Sequence, residues 1–201
     1  MTPEIFPLFP VAVYKNIIRA PSENELKHIN SIEMKTQTSG NLLSTDRYVL
    51  DHPELADLKK VILDNIKIYA EEIISTDQEL YITNSWKNAN DQHQRHMIHN
   101  HTNSIISGCY YINVESSLPS VSFNRMGPPF LLNLLPKKFN LFNSIDWSIP
   151  LENNCLLIFP SAAYHHVPPN PNPDTRISIA FNTFLRGTIG TNSGGADLIL
   201  N

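Results

Sequence analysis

Four positions in this chain have side chains that together can bind a metal and an acid: His99, His101, His165 and Arg176. His99-Asn100-His101 is followed by a short polar turn and then by Ile105 to Ile112, a run rich in β-forming residues. At a strand end the i, i+2 spacing turns both imidazoles to one face. Two imidazoles on one side can share a divalent metal if a third ligand arrives from elsewhere. His165, in the segment from Phe159 to Pro168, is that candidate, although His166 sits beside it and only one of the pair can face inward in a strand. Arg176 opens Arg-Ile-Ser-Ile-Ala-Phe-Asn, where Arg176, Ser178, Ala180 and Asn182 share one face and Ile177, Ile179 and Phe181 the other. A guanidinium with a hydroxyl two residues on is suited to binding a carboxylate through two hydrogen bonds. A rival grouping, His93, His96 and His99 at helical spacing, is disfavoured because Gln92, Gln94 and Asn100 leave such a helix no apolar face.

These residues need a scaffold, and the chain supplies one in two styles. Residues 5–18 mix apolar side chains with Pro7 and Pro10 and read as an edge strand or extended arm. Ser22 and Glu25 form a capping-box pattern that opens a helix to about residue 35, with Leu26, Ile29 and Ile32 as its stripe. Residues 36–50 are polar and rich in turn formers. Asp51 and Glu54 repeat the capping pattern ahead of a helix over roughly 53–75, striped by Leu55, Leu58, Ile62, Ile66, Tyr69 and Ile73. From residue 80 the period shortens, with strand candidates at 81–86, 105–114, 119–124, 144–149, 154–159 and 175–185. Residues 126–143 form a long excursion, and the glycine-rich 187–201 reads as a loosely ordered tail. Helices followed by many short strands predict an α+β fold, an antiparallel sandwich or barrel with helices packed on one side. The expected organisation is a single domain over 1–201: arm and helices to residue 78, a core over 79–186, and the tail.

Composition narrows the function. The 201 residues are 41% hydrophobic and 17% charged, which suits a folded domain. A net charge of −4 offers no basic field for nucleic acid. Cys109 and Cys155, each inside a strand candidate, read as buried small hydrophobes in a reducing compartment. With no signal-peptide pattern at the start and no run of membrane-spanning length, the expectation is a cytoplasmic protein. The N-terminal arm and proline-rich edges could pair two copies as a homodimer.

Taken together, the residues resemble the Fe(II)- and 2-oxoglutarate-dependent dioxygenases. The likeness lies in His99 to Tyr111, a His-x-His…Ser-Gly-x-Tyr-Tyr segment, and in Phe159 to Asn182, a Phe-Pro-Ser…His-x-Val-x-Pro…Arg-Ile-Ser-x-x-Phe-Asn segment. It covers about residues 80–185. The resemblance implies a double-stranded β-helix, a cupin-like jelly roll. It also implies Fe(II) on His99, His101 and His165, and 2-oxoglutarate held through its far carboxylate by Arg176 with Ser178. Tyr110 or Tyr111, one of which faces inward, and Asn88 are the remaining candidates to line the cosubstrate pocket. The implied reaction is oxidation of a C–H bond in a small molecule or peptide, coupled to decarboxylation of 2-oxoglutarate to succinate. His101 departs from the pattern, because most of the superfamily has a carboxylate there; Asp91 is an outside source of one. Two alternatives compete: a three-histidine dioxygenase that uses no 2-oxoglutarate, and a non-catalytic jelly-roll binding module.

Overall fold

A computed structural model describes residues 2–37, 40–114, 120–132, 134–190 and 197–200. Its core is a pair of facing antiparallel sheets. The larger contains β1 (Tyr14–Ile17), β2 (Met34–Thr36), β3 (Leu42–Ser44), β4 (Leu80–Asn90), β6 (Ile106–Asn113), β9 (Cys155–Pro160) and β11 (Arg176–Leu185), in the order β1-β9-β6-β11-β4-β3-β2. The smaller contains β5 (His96–His99), β7 (Ser120–Asn124), β8 (Asp146–Pro150) and β10 (Tyr164–Val167), in the order β5-β10-β7-β8.

Strand alternation in the larger sheet creates two different cores. Even-numbered Leu156 and Ile158 of β9, Tyr110 of β6, and odd-numbered Ile179 and Phe181 of β11 all face the helices. Cys155, Leu157 and Phe159 of β9 and Tyr111 of β6 face the smaller sheet, where Val121, Phe123, Ile149 and Val167 meet them. A period of two separates these sets cleanly, so each strand serves both layers.

The helices cover the outer face. Helix α1 (Glu23–Ser31) begins as its sequence dictates, with the Ser22 side chain accepting from the Glu25 amide and the Glu25 carboxylate accepting from the Ser22 amide. Arg19 donates to both oxygens of that carboxylate at 2.7 and 2.6 Å, and this holds the Glu25 pKa down at about 2. The helix ends at Ser31, short of the expected 35, because Ile32 is extended and the chain turns into β2. Met34–Thr36 and Leu42–Ser44 therefore pair as β2 and β3 and extend the sheet beyond β4, within a stretch expected to be turn-rich.

Helix α2 (Ala56–Tyr69) buries Leu58, Ile62, Ile66 and Tyr69 completely or nearly so, each Leu or Ile contributing about 1.5–3 kcal/mol of transfer free energy. Asp51 does not cap it: a 3₁₀ turn over Pro53–Leu55 leads in instead, and the Asp51 carboxylate accepts from Lys59 Nζ at 2.6 Å. Beyond Tyr69 the turn widens over Ala70–Ile74. The wider turn shifts the helical phase, which leaves Ile73 exposed rather than on the stripe.

The strand candidates hold with modest changes of boundary; residue 119 lies outside the described residues. Sequence reading missed β5 and β10, both four residues long. The expected loose tail instead pairs β12 (Gly187–Ile189) with β13 (Leu198–Leu200). Its Gly194 and Gly195 lie outside the described residues. Among the described residues Cys109 and Cys155 are free thiols within the sheet.

Gly108 marks where packing is least tolerant. A Cβ there would collide with the Phe181 ring and come 2.7 Å from the Leu157 carbonyl oxygen. Gly108→Ala is expected to cost about 1–3 kcal/mol, read as a lowered midpoint in urea. A variant as stable as the wild type would show that the Phe181 ring can give way.

Candidate metal and cosubstrate site

The site lies between the sheets, where β5 and β10 meet. His99 and His165 are directly opposed in that ladder, and His101 follows two residues beyond His99, its amide held by the Ser161 carbonyl at 2.9 Å. Opposed residues and i, i+2 residues share a face, so the three rings converge. One ring nitrogen from each lies within 4.8 Å of the others.

The hydrogen bonds decide which nitrogens those are. His99 Nδ1 donates to the Met97 carbonyl at 2.7 Å and His165 Nδ1 to the Ala163 carbonyl at 2.9 Å. A carbonyl only accepts, so Nδ1 carries the proton in both rings. His101 Nδ1 donates to Asn182 Oδ1 at 2.5 Å, and Asn182 is in turn held by Ser107 Oγ at 2.7 Å. Every ring therefore has Nδ1 tied to an outer partner and an Nε2 lone pair free, the arrangement a metal-binding histidine needs. His166 points away to Asn124 Oδ1.

Burial disfavours the charged form of two of these rings. Desolvation lowers the pKa of His101, and it lowers His165 to about 3, with the neighbouring His99 and His101 adding to the effect. His96, further along β5, is lowered to about 4 by desolvation first and then by the charge of Arg176. The sign of the pH dependence follows. Unfolded histidines near 6.5 take up protons that the folded ones refuse, so this contribution to stability is complete above pH 6.5 and is lost as pH falls from 6.5 through about 4 to 3. Metal-free protein is expected to lose melting temperature from pH 7 to pH 5. His96→Gln should recover about 1–2 kcal/mol of the loss. An unchanged slope in that variant would show that His96 is solvated.

Across from the histidines, β11 presents Arg176, Ser178, Ala180 and Asn182 inward, as its alternation requires. Arg176 is 7% exposed, its Nη2 has no hydrogen-bond partner, and among the described residues no carboxylate pairs with it. A buried guanidinium without a counter-ion costs several kcal/mol, so this one is built for an anion that the protein does not supply. Its pKa is lowered chiefly by burial. Ser178 lies between Asn88 on β4 and Tyr111 on β6. Asn88 Oδ1 and Asn90 Nδ2 are also buried without partners. A cavity of about 530 Å³ opens over this surface, lined by Trp86, Asn88, His96, His99 and Asn182 among others.

Two candidates fall elsewhere. Tyr110 faces the helices, where its hydroxyl donates to the Arg19 carbonyl at 2.8 Å, so the inward tyrosine is Tyr111. Parity with Gly108, whose missing side chain makes room for Phe181 on the helix side, fixes that choice. Asp91 is not among the clustered ligands, because its carboxylate accepts from Thr175 Oγ1 at 2.6 Å. Asn182 was missed as the residue that orients His101; the two are 81 positions apart, and no local pattern links them.

Residues 84–182 match the model of a family described as "Putative 2OG-Fe(II) oxygenase". No curated protein matches the chain. Solved structures with the same fold include a prolyl-4-hydroxylase from Pseudomonas putida, at 12% identity and TM-score 0.54, covering 87% of this chain and 93% of that one. The non-heme alpha ketoglutarate dependent carbocyclase SnoK from nogalamycin biosynthesis is 12% identical, with TM-score 0.58 and coverage of 92% and 85%. HygX from Streptomyces hygroscopicus, solved with nickel, 2-oxoglutarate and hygromycin B bound, is 10% identical, with TM-score 0.57 and coverage of 86% and 82%.

Proposed function

The chain belongs to the 2OG-Fe(II) oxygenase family, whose members use Fe(II) and 2-oxoglutarate, and on that premise we propose which of its residues carry the activity. His99, His101 and His165 hold the metal through Nε2. Arg176 binds the far carboxylate of 2-oxoglutarate, with Ser178, Asn88 and Tyr111 around it. The bound metal and cosubstrate together supply the oxidising chemistry, which consumes dioxygen and releases succinate and carbon dioxide.

What the chain contributes is placement. Asn182 and the Met97 and Ala163 carbonyls fix the three rings before any metal arrives, which lowers the ordering cost of binding. The dry walls of Tyr111, Cys109 and Phe159 keep water from the side of the site away from the cavity mouth. Substrate enters past Trp86 and Met97, and a small molecule or a peptide side chain is the class that a cavity of this size admits.

The observation that carries this reading is the buried, unpaired Arg176 on the face that looks toward three convergent histidines. It favours 2-oxoglutarate over a three-histidine dioxygenase with no cosubstrate, which has no use for that cation. The test is succinate formation in air from 2-oxoglutarate, with and without Fe(II). Slow, Fe(II)-dependent succinate release without added substrate supports the reading. Oxygen uptake that ignores 2-oxoglutarate would replace it with the cosubstrate-free alternative.

A further inference from the structure

The cavity is lined by a cation other than Arg176. Arg47 lines it together with Trp86, His99 and Asn182, and among the described residues around that cavity it is the sole Arg, Lys, Asp or Glu. It is half-buried, among the described residues its side chain makes no hydrogen bond or ion pair, and the chain is acidic overall, at −4. The acid nearest in sequence is already engaged: Asp46 Oδ1 accepts from the Tyr48 amide at 2.8 Å, and Asp46 Oδ2 lies 2.6 Å from His52 Nε2.

Arg47 is also held in place. The Ser85 amide donates to the Arg47 carbonyl at 2.8 Å, and Tyr48 bridges Ser85 on β4. Ser44 Oγ donates to the Asp46 carbonyl at 2.6 Å, and His52 is backed by His28 Nε2 at 2.7 Å from its Nδ1. A loop pinned on both sides of one residue, with its own carboxylate turned away, presents a guanidinium to the cavity at little further ordering cost. It is separate from Arg176, which lies near His96 and opposite Asn90 on β4.

We propose that Arg47 anchors an anionic group of the substrate, so that the molecule oxidised is an organic acid, a carboxylate or a phosphate ester, seated with its reacting carbon toward the three histidines. This rests on the function proposed above. Trp86, Leu43 and Met97 line the cavity too and supply apolar contact for the rest of the molecule.

The experiment loads the protein with Mn(II) and saturating 2-oxoglutarate, which keeps other acids off the metal. It then titrates benzoate, phenyl phosphate and the neutral analogue benzamide, following paramagnetic broadening of each probe's ring-proton NMR lines. At least one anion should be broadened and should bind at least about tenfold more tightly than benzamide. Arg47→Gln should weaken that anion at least about tenfold, and Arg47→Lys should keep most of its affinity. The tighter of the two anions distinguishes a carboxylic acid from a phosphate ester. Equal binding of benzamide, no binding of any probe, or unchanged anion affinity in Arg47→Gln would each overturn the proposal. So would loss of 2-oxoglutarate binding in that variant, since Arg47 would then serve the cosubstrate. If wild-type protein binds neither Mn(II) nor 2-oxoglutarate, the oxygenase assignment of these residues fails. The same probes read by saturation transfer without metal then still report on Arg47.

Discussion

Arg176→Ala will remove most of the stabilisation that 2-oxoglutarate gives the metal-loaded protein. A ligand at a hundred times its dissociation constant stabilises the folded state by about 2.7 kcal/mol. For a chain of this length that is a rise of roughly 5–10 °C in melting temperature. Removing one partner of a buried, charge-assisted pair costs about 2–5 kcal/mol, so 2-oxoglutarate affinity should fall by at least about thirtyfold and the shift at the same concentration should drop to about a third or less. The metal-free variant makes a second demand. Because Arg176 is buried without a counter-ion, its removal relieves a desolvation cost, and Arg176→Met should be no less stable than wild type. Loss of most of the 2-oxoglutarate shift with apo stability intact identifies Arg176 as the cosubstrate anchor. Retention of the shift would move that role to another residue.

His165→Ala should have the larger catalytic effect. It deletes one of the three nitrogens proposed to hold the metal, the one most shielded from water and placed opposite His99 in the ladder. Changes to partners that only orient metal ligands cost about 10–100-fold, so loss of a ligand itself should reduce Fe(II)-dependent succinate formation by about a thousandfold or more. Mn(II) affinity, measured by titration calorimetry, should fall in parallel, while His166→Ala should leave it unchanged because His166 turns to Asn124. Equal losses from both variants would mean that residues 164–167 act through the fold of β10 rather than through one ligand.

Much of this arrangement was legible before any coordinates. His-x-His predicts a shared face whenever it sits in extended chain, and the alternation of Arg176 to Asn182 separates a polar from an apolar surface without further help. The Ser22–Glu25 pattern placed its helix correctly because capping is a local affair of four residues. Elsewhere local patterns gave out. Asp51-x-x-Glu54 looks the same on paper, yet Lys59 and a 3₁₀ entry claimed those residues. The strands β5 and β10 are too short to show a period, and only their pairing, with His165 opposite His99, reveals them. Tyr110 and Tyr111 were separable only by register, which depends on β6 docking between β9 and β11. Arg47 and Asn182 acquire their places from contacts made across the sheet and carry no signature of their own.

Strand β11 lies at the centre of the larger sheet, between β6 and β4. It carries Arg176 near its start and, six residues on, Asn182, the residue that holds His101. A hydrogen-bonded strand with neighbours on both sides neither stretches nor slides. On the proposed assignment the strand is a yardstick, with the anion's mark cut at one end and the metal's at the other. Keto diacids one carbon shorter or longer than 2-oxoglutarate should be measured against it and found the wrong length, whatever their charge.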